Sequence, residues 1–475
     1  MRLLVIMFIT LGLLGCKKPA PPLPKPKQDK EIIVVTHNGP STYYVNGDSQ
    51  FAGLEYDLVK LFVKELGPDY TVKFLVVSNI TQIIPNLEKG KAHFAAAGLS
   101  VTPKRQESMR FSVPYQTVQE RLVYNKEIME RNNEHAPKSL KELSGKTLIV
   151  PEGTSYAERL SSLGSEYPQF YWQKLPNISS DELLEQVAEG SLDYTIADDH
   201  LVSVVQNYYP NLGAGLAIGE PEKLAWAFPK NGDPWLLNKA NAFFERIKKD
   251  GTLNSLLDRY YGHSDRLNPL DVTTFLKRTK SLLPQYIRLF KHAQELTGLD
   301  WRLLAAISYQ ESHWDTFNTS PTNVRGLMML TEETADRLGV TDRLDPKQSI
   351  IAGARYILTL RDMVPKRIQE PDRTWIALAA YNIGYAHVED ARVLAQRLKL
   401  NPDSWADLKK TLPLLNRVEY HSTVKYGYAS GGAPVIFVES IRTYHNILER
   451  YEPQHTPVLP DFNLAELDIA KILAQ

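Results

Sequence analysis

A chain of 475 residues is too long for one ordinary hydrophobic core, so two or three domains are expected. Its 55 basic residues balance 55 acidic ones with no polybasic block, which argues against a nucleic-acid partner, and 43% hydrophobic with 10% aromatic content fits a soluble globular chain. Cys16 is the only cysteine, so no intramolecular disulfide can form.

In chain order, Met1-Arg2 is followed by an uncharged run from Leu3 to Gly15 and then Cys16. Such a run is too short to span a bilayer and suits a signal-peptide core, so residues 1–15 read as a signal peptide. Leu13-Leu14-Gly15-Cys16 resembles the bacterial lipobox, in which the cysteine becomes the lipidated first residue of the mature protein. A plain secretory signal with a chance cysteine is the other reading. Under the resemblance, Lys17 in place of an acidic residue points to the periplasmic face of the outer membrane. Residues 16–30 are rich in Pro and Lys without apolar period and read as an extended tether.

From Glu31 short strands alternate with helices. Ile32–Val35 and Val72–Val77 read as strands around a helix from Tyr56 to Leu66, and a helix from Asn79 to Lys89 leads into Ala92–Ala97. The grammar returns at Lys146–Val150, at a helix from Asp181 to Ala188, and at Asp193–Ala197. This alternation predicts α/β lobes with mainly parallel sheets over residues 31–263. A polar linker at 264–270 follows, and past Asp271 the strand signal vanishes. Residues 271–452 read as helix after helix, broken by Pro321, Pro346, Pro371 and Pro402, with 453–475 as a tail.

The first half resembles the periplasmic solute-binding proteins of the amino-acid type. The likeness is carried by Gly53-Leu54-Glu55-Tyr56-Asp57-Leu58, Ile84-Pro85-Asn86-Leu87-Glu88-Lys89-Gly90, Ser100-Val101-Thr102-Pro103-Lys104-Arg105, Gly153-Thr154-Ser155, Asp198 and the run Phe244 to Gly262. The resemblance implies a two-lobed fold closing on a ligand by a hinge. It also implies that Thr102 and Arg105 grip a ligand carboxylate, that Thr154 offers backbone N–H groups to an anion, and that Asp198 takes an ammonium group. A retained fold with a pocket that has lost its ligand is the competing reading. Tyr56 and the Asp198-Asp199 pair depart slightly from the usual pattern.

In the helical half, Asp300 to Glu311 places Leu303, Leu304 and Ile307 at helical spacing, and Glu311 falls on the same stripe. A carboxyl held against apolar side chains loses hydration and its pKa climbs toward neutrality, which prepares a general acid. Glu311-Ser312, Trp314, Ser320, Gly326-Leu327-Met328-Met329, and Ala380-Tyr381-Asn382-Ile383-Gly384 resemble the motifs of the lysozyme-like domain of lytic transglycosylases, with Tyr426 as the late tyrosine. Met329 stands where glutamine is usual. The whole arrangement is similar to the membrane-bound lytic murein transglycosylases of F type, which fuse a solute-binding domain to that module.

Ordinary glycosidases need two carboxylates, and here Glu311 has no clear partner, since Asp315 lies past the helix end and Glu332 and Glu333 begin the next helix. One acid suffices when the substrate supplies the nucleophile. In peptidoglycan, the substrate the resemblance implies, the C6 hydroxyl of N-acetylmuramic acid can attack its own C1, and Glu311 would protonate the departing oxygen and then take that hydroxyl's proton. The product is a 1,6-anhydro sugar. Hydrolysis by a lysozyme relative is the runner-up, and a catalytically dead wall-binding receptor is the rival from another class. Supporting residues are Ser312, Ser320, Gly326 for close backbone approach, Met328 and Met329 as a soft apolar wall, Tyr381 and Asn382 beside the reacting ring, and Tyr426 to orient Glu311. The bland alternatives are core filling for Met328, Met329 and Tyr381, helix capping for Asn382 and Gly384, and a Glu311–Arg325 ion pair. No metal-ligand spacing, phosphate loop or Ser-His-Asp pattern stands out, so no cofactor or metal is expected. The expected partners are peptidoglycan strands, an amino-acid or muropeptide effector, and the outer membrane.

Overall fold

The computed structural model describes residues 23–39, 41–45, 51–163, 171–262, 269–320 and 324–456. The signal peptide, Cys16, the first part of the tether, residues 264–268 of the linker and residues 457–475 of the tail lie outside the described residues.

The first half forms two lobes, each a five-stranded sheet with helices on both faces. In the first lobe the strands run Thr71–Val77, Glu31–His37, Phe94–Ala95, Ala227–Pro229 and Met109–Phe111 in spatial order. In the second the order is Trp172–Leu175, Leu148–Pro151, Tyr194–Asp198, Glu120–Asn125 and Leu212–Ala217. The apolar run Ile32–Val35 is buried on both faces, Ile32 and Val34 in one core and Ile33 and Val35 in another. The sheets are mixed, not mainly parallel: Ala227–Pro229 pairs antiparallel with both neighbours, as does Glu120–Asn125. These strands carry the chain back after it has crossed between lobes, so they enter against the grain of the βαβ units. The crossings themselves pair as a ribbon, Gln116–Val118 against Glu222–Leu224.

The tether is not wholly extended. Pro26–Asp29 forms a short helix seated on the first lobe, with the Pro24 carbonyl 2.7 Å from His93 Nε2 and Lys27 3.1 Å from Asp233. The helical half already begins at Pro269, inside the expected linker, with the helix Pro269–Ser281. A single apolar core then runs through the helices Trp301–Ser312, Pro346–Met363, Asp372–Ile383, Tyr385–Arg397 and Gly432–Tyr451.

A buried ionic cluster joins the halves. Asp258, on the closing helix Thr252–Tyr261 of the first lobe, accepts from Arg442 at 3.0 Å and pairs with Lys409. Glu439, fully buried, takes Arg442 at 2.7 Å, Lys409 at 3.1 Å and the Trp405 indole N–H at 2.7 Å. Every charge in the cluster has an opposite partner, which low-dielectric burial requires. Among the described residues no helix is long and apolar enough to cross a membrane.

Candidate active site

Glu311 is the penultimate residue of the helix Trp301–Ser312, which Asp300 caps by accepting the Arg302 N–H at 2.7 Å. From Trp301 to Tyr309 every residue of this helix is buried, so it is the central post of the domain and not a surface helix with one apolar stripe. The chain leaves it through two consecutive left-handed residues, His313 at φ 53° and Trp314 at φ 60°. Trp314 folds back into the core and donates its indole N–H to the Ala305 carbonyl at 2.9 Å.

The turn Arg325–Leu330 is bolted to the end of the helix. Ser308 and Ser312 both donate to the Leu327 carbonyl at 3.0 Å, and Ser349 accepts the Met328 N–H at 3.1 Å. Gly326 is required here by backbone, since it sits at φ 82° where a side chain would collide with the Arg343 carbonyl. Tyr381 closes the arrangement by donating its hydroxyl to the Met328 carbonyl at 2.7 Å, with its ring stacked on Phe437.

Glu311 itself is only partly exposed and has no hydrogen bond or ion pair among the described residues. Burial alone pushes its carboxyl up to about 8. Its place in the last turn acts in the same direction, because the negative end of the helix dipole disfavours an anion. The proximity of Glu311 also helps raise the Tyr381 phenol, after burial. An acid in this state holds a proton at neutral pH and has it free to give.

Several expectations for individual residues change. Ser312 is buried and its hydroxyl donates to the Ser308 and Leu327 carbonyls, which ties the end of the helix to the turn. Met328 is fully buried against Gly353 and is core, not a groove wall; only Met329, half-buried at φ 45°, reaches the surface. Gly326 makes room for the Arg343 backbone and not for a sugar. Ser320 accepts the Val324 N–H at 3.1 Å and shapes its loop. Asn382 is exposed, while Gly384 at φ 91° ends the helix. Tyr426 is 49% exposed, with its ring edge-on to His387 and Lys425 over its face, and it makes no hydrogen bond to Glu311 among the described residues. Arg325 forms no ion pair with the acid, and its Nε is buried without a partner.

Sequence reasoning passed over Asp390. Buried on the helix Tyr385–Arg397, it accepts the backbone N–H groups of Lys425, Tyr426 and Gly427 at 2.8–3.1 Å and thereby holds that loop. No periodicity or motif marks such a residue. Among the described residues no group of three or more His, Cys, Asp or Glu side chains could hold a metal.

The second candidate site is the cavity between the lobes, lined by Arg105, Thr154 and Asp198 together with Glu55, Asp181 and Tyr261. Thr102 sits behind it, capping the helix Pro103–Ser108. Thr154 turns its hydroxyl back to the Pro151 carbonyl at 2.7 Å. Asp198 is 8% exposed and pushed up to about 8, by burial first and the Glu120 charge second.

A carboxyl that burial pushes toward protonation in an all-helical core, fused to a two-lobed binding fold, fits the class of lytic transglycosylases with a solute-binding domain. Residues 32–263 match the bacterial extracellular solute-binding proteins, family 3, and residues 288–402 match the transglycosylase SLT domain. The chain belongs to the membrane-bound lytic murein transglycosylase F family. It is 66% identical over 468 residues to the member from Methylobacillus flagellatus, covering 98% of each chain. It is 48% identical over 434 residues to the member from Nitrosospira multiformis, covering 91% of this chain and 88% of that one. An amino acid ABC transporter substrate-binding protein from Streptococcus pneumoniae overlays 50% of the chain at a TM-score of 0.44 and 20% identity.

Proposed function

We propose that the chain cleaves the β-1,4 bond between N-acetylmuramic acid and N-acetylglucosamine in peptidoglycan, with Glu311 as the only catalytic carboxyl. The observation that carries this reading is the burial of the Glu311 carboxyl at the end of the central helix without a side-chain partner among the described residues, which favours its protonated form. Its proton goes to the departing glycosidic oxygen as the C1–O bond breaks. The resulting carboxylate accepts the proton of the C6 hydroxyl as the new C6–O–C1 bond forms, leaving a 1,6-anhydro end and a restored acid. Tyr381 and Ser312 hold the neighbouring turn; Met329, Asn382 and Tyr426 are the exposed or half-exposed residues left to meet the glycan.

Purified sacculi treated with the wild type should yield anhydro-muropeptides, one water lighter than reducing ends, and Glu311→Gln should release none. Reducing ends from the wild type would favour the hydrolase, and unchanged release by the variant would remove Glu311 from the chemistry.

We further infer that the interlobe cavity binds an effector whose occupancy reaches Glu311. Tyr261 lines the cavity, and its helix carries Asp258, which is bound to Arg442 on the helix Gly432–Tyr451; that helix packs on the helix bearing Glu311. Any such coupling is reciprocal, so filling the glycan groove should shift effector affinity by the same factor. Lipidation of Cys16 and attachment to the outer membrane's periplasmic face complete the proposal. Globomycin-sensitive processing and metabolic acyl labelling lost in Cys16→Ala test this part.

A further inference from the structure

The interlobe cavity closes on itself. Glu158, on the second-lobe helix Ser155–Leu163, reaches across to the first lobe. Its carboxylate accepts Arg105 Nε at 3.0 Å and the Thr102 hydroxyl at 2.8 Å. Two further Arg105 donors, one on each Nη, go to the Ser100 carbonyl and, across the cleft, to the Gly153 carbonyl, each at 3.0 Å. Arg105 thus spends three of its five N–H donors inside the protein, one on a carboxylate of its own chain, and its side chain is only 2% exposed. Asn79 donating to Asn177 at 2.7 Å and the Ser100–Ser155 hydroxyl pair at 3.3 Å add further links between the lobes.

What remains open in the cavity is acidic. Among the described residues Arg105 is the only Lys or Arg lining it, whereas Glu55, Asp181 and Asp198 contribute carboxyls. Glu55 is satisfied by the Gly98 N–H, the Tyr115 hydroxyl and the Trp226 indole. The other two are at most half satisfied: Tyr156 reaches Asp198, yet Asp198 Oδ1 and Asp181 Oδ1 are both buried without a hydrogen-bond partner. The two histidines of the lining, His37 and His200, are held neutral by burial and bring no cation. A buried oxygen without a donor calls for one, and the cheapest way to satisfy two of them in one cavity is a multivalent N–H donor.

We propose that the cavity takes an amine cation through Asp198 and Asp181, and that Glu158 occupies the anion subsite so that a ligand carboxylate is neither needed nor admitted. Glu158 does from within what a ligand carboxylate would do: it bridges Arg105 and Thr102 of one lobe to a helix of the other. This inference rests on the reading of the cavity as a binding site and specifies what it binds.

Cadaverine and L-lysine differ only by the carboxylate, so titration calorimetry of the full chain with each isolates the anion subsite. Wild type is expected to bind cadaverine at least as tightly as L-lysine. Glu158→Ala should tighten L-lysine by about tenfold or more while leaving cadaverine within about threefold, the gain of one charge-assisted pair. Asp198→Asn should weaken cadaverine by about tenfold. The wild-type comparison needs no variant, so a misfolded Glu158→Ala leaves it decisive. A wild type that prefers L-lysine by about tenfold would overturn the selectivity and leave the cavity as an effector site. Binding of neither ligand at millimolar concentration would overturn both.

Discussion

Replacing Glu311 by Gln should make the protein more stable as it becomes inactive, and only above acid pH. Burial raises the carboxyl from 4.5 to about 8 on folding. The native state therefore holds this proton more tightly than the unfolded chain, and stability falls as pH climbs through that window. At pH 7 the full shift corresponds to a cost of about 3 kcal/mol, and because the carboxyl is partly exposed a range of about 1–3 kcal/mol is the fair expectation. Near pH 4.5 the cost shrinks to about 0.4 kcal/mol. Glutamine has the same shape and no charge to desolvate, so the variant escapes the penalty. Thermal melts of both proteins at pH 4.5 and pH 7.5 read the difference, at roughly 1 °C for each kcal/mol in a chain of this length that melts as one unit. The variant should melt with the wild type at the lower pH and above it at the higher. A gap that does not change with pH, or a variant less stable at pH 7.5, would refute the burial argument for the acid.

The same protonation state sets the rate profile: kcat/KM on soluble glycan strands should hold level from pH 5.5 to 7 and fall above about 8, with no loss centred near 4.5. Asp390→Ala strips three backbone N–H groups of their acceptor at a cost of about 3 kcal/mol, so hydrogen exchange at Lys425–Gly427 should rise sharply while the core stays protected. Ser312→Ala should cost about 1 kcal/mol and lower kcat more than it raises KM, since Ser308 still holds the Leu327 carbonyl but the end of the helix loosens. Arg442→Met leaves Asp258 and Glu439 short of a cation and should cost about 3 kcal/mol. Calorimetry on that variant should show the two halves melting in separate steps, against a single step for the wild type.

The reach of the sequence differed between the two halves of the argument. Ile32–Val35 could be placed because four consecutive apolar residues fit only a strand covered on both faces. The helix stop at Gly384, and the two helical starts at Glu332 and Trp301, follow from local rules of capping and period. The mixed direction of the sheets escaped it, since nothing in Glu120–Asn125 says from which side the chain will re-enter. The site motifs identified the right segments but not the direction each side chain takes: Met328 and Ser312 sit in those motifs and point into the core.

Two charges illustrate the limit. Glu311 on an apolar stripe was legible as an acid under pressure to stay protonated, because residues three and four apart share a helix face. That no ion pair with Arg325 forms depends on how the turn Arg325–Leu330 is fixed against the end of the helix. Glu158 carried no signal at all. Its role exists only because a second lobe folds over the first and delivers its carboxylate to Arg105. Periodicity and capping are short-range, so the chain alone determined which segments become strands, helices and turns and where an acid would lose water. Which charges meet, which stay unpaired, and therefore what each site can bind or protonate, was decided when segments far apart in sequence packed together.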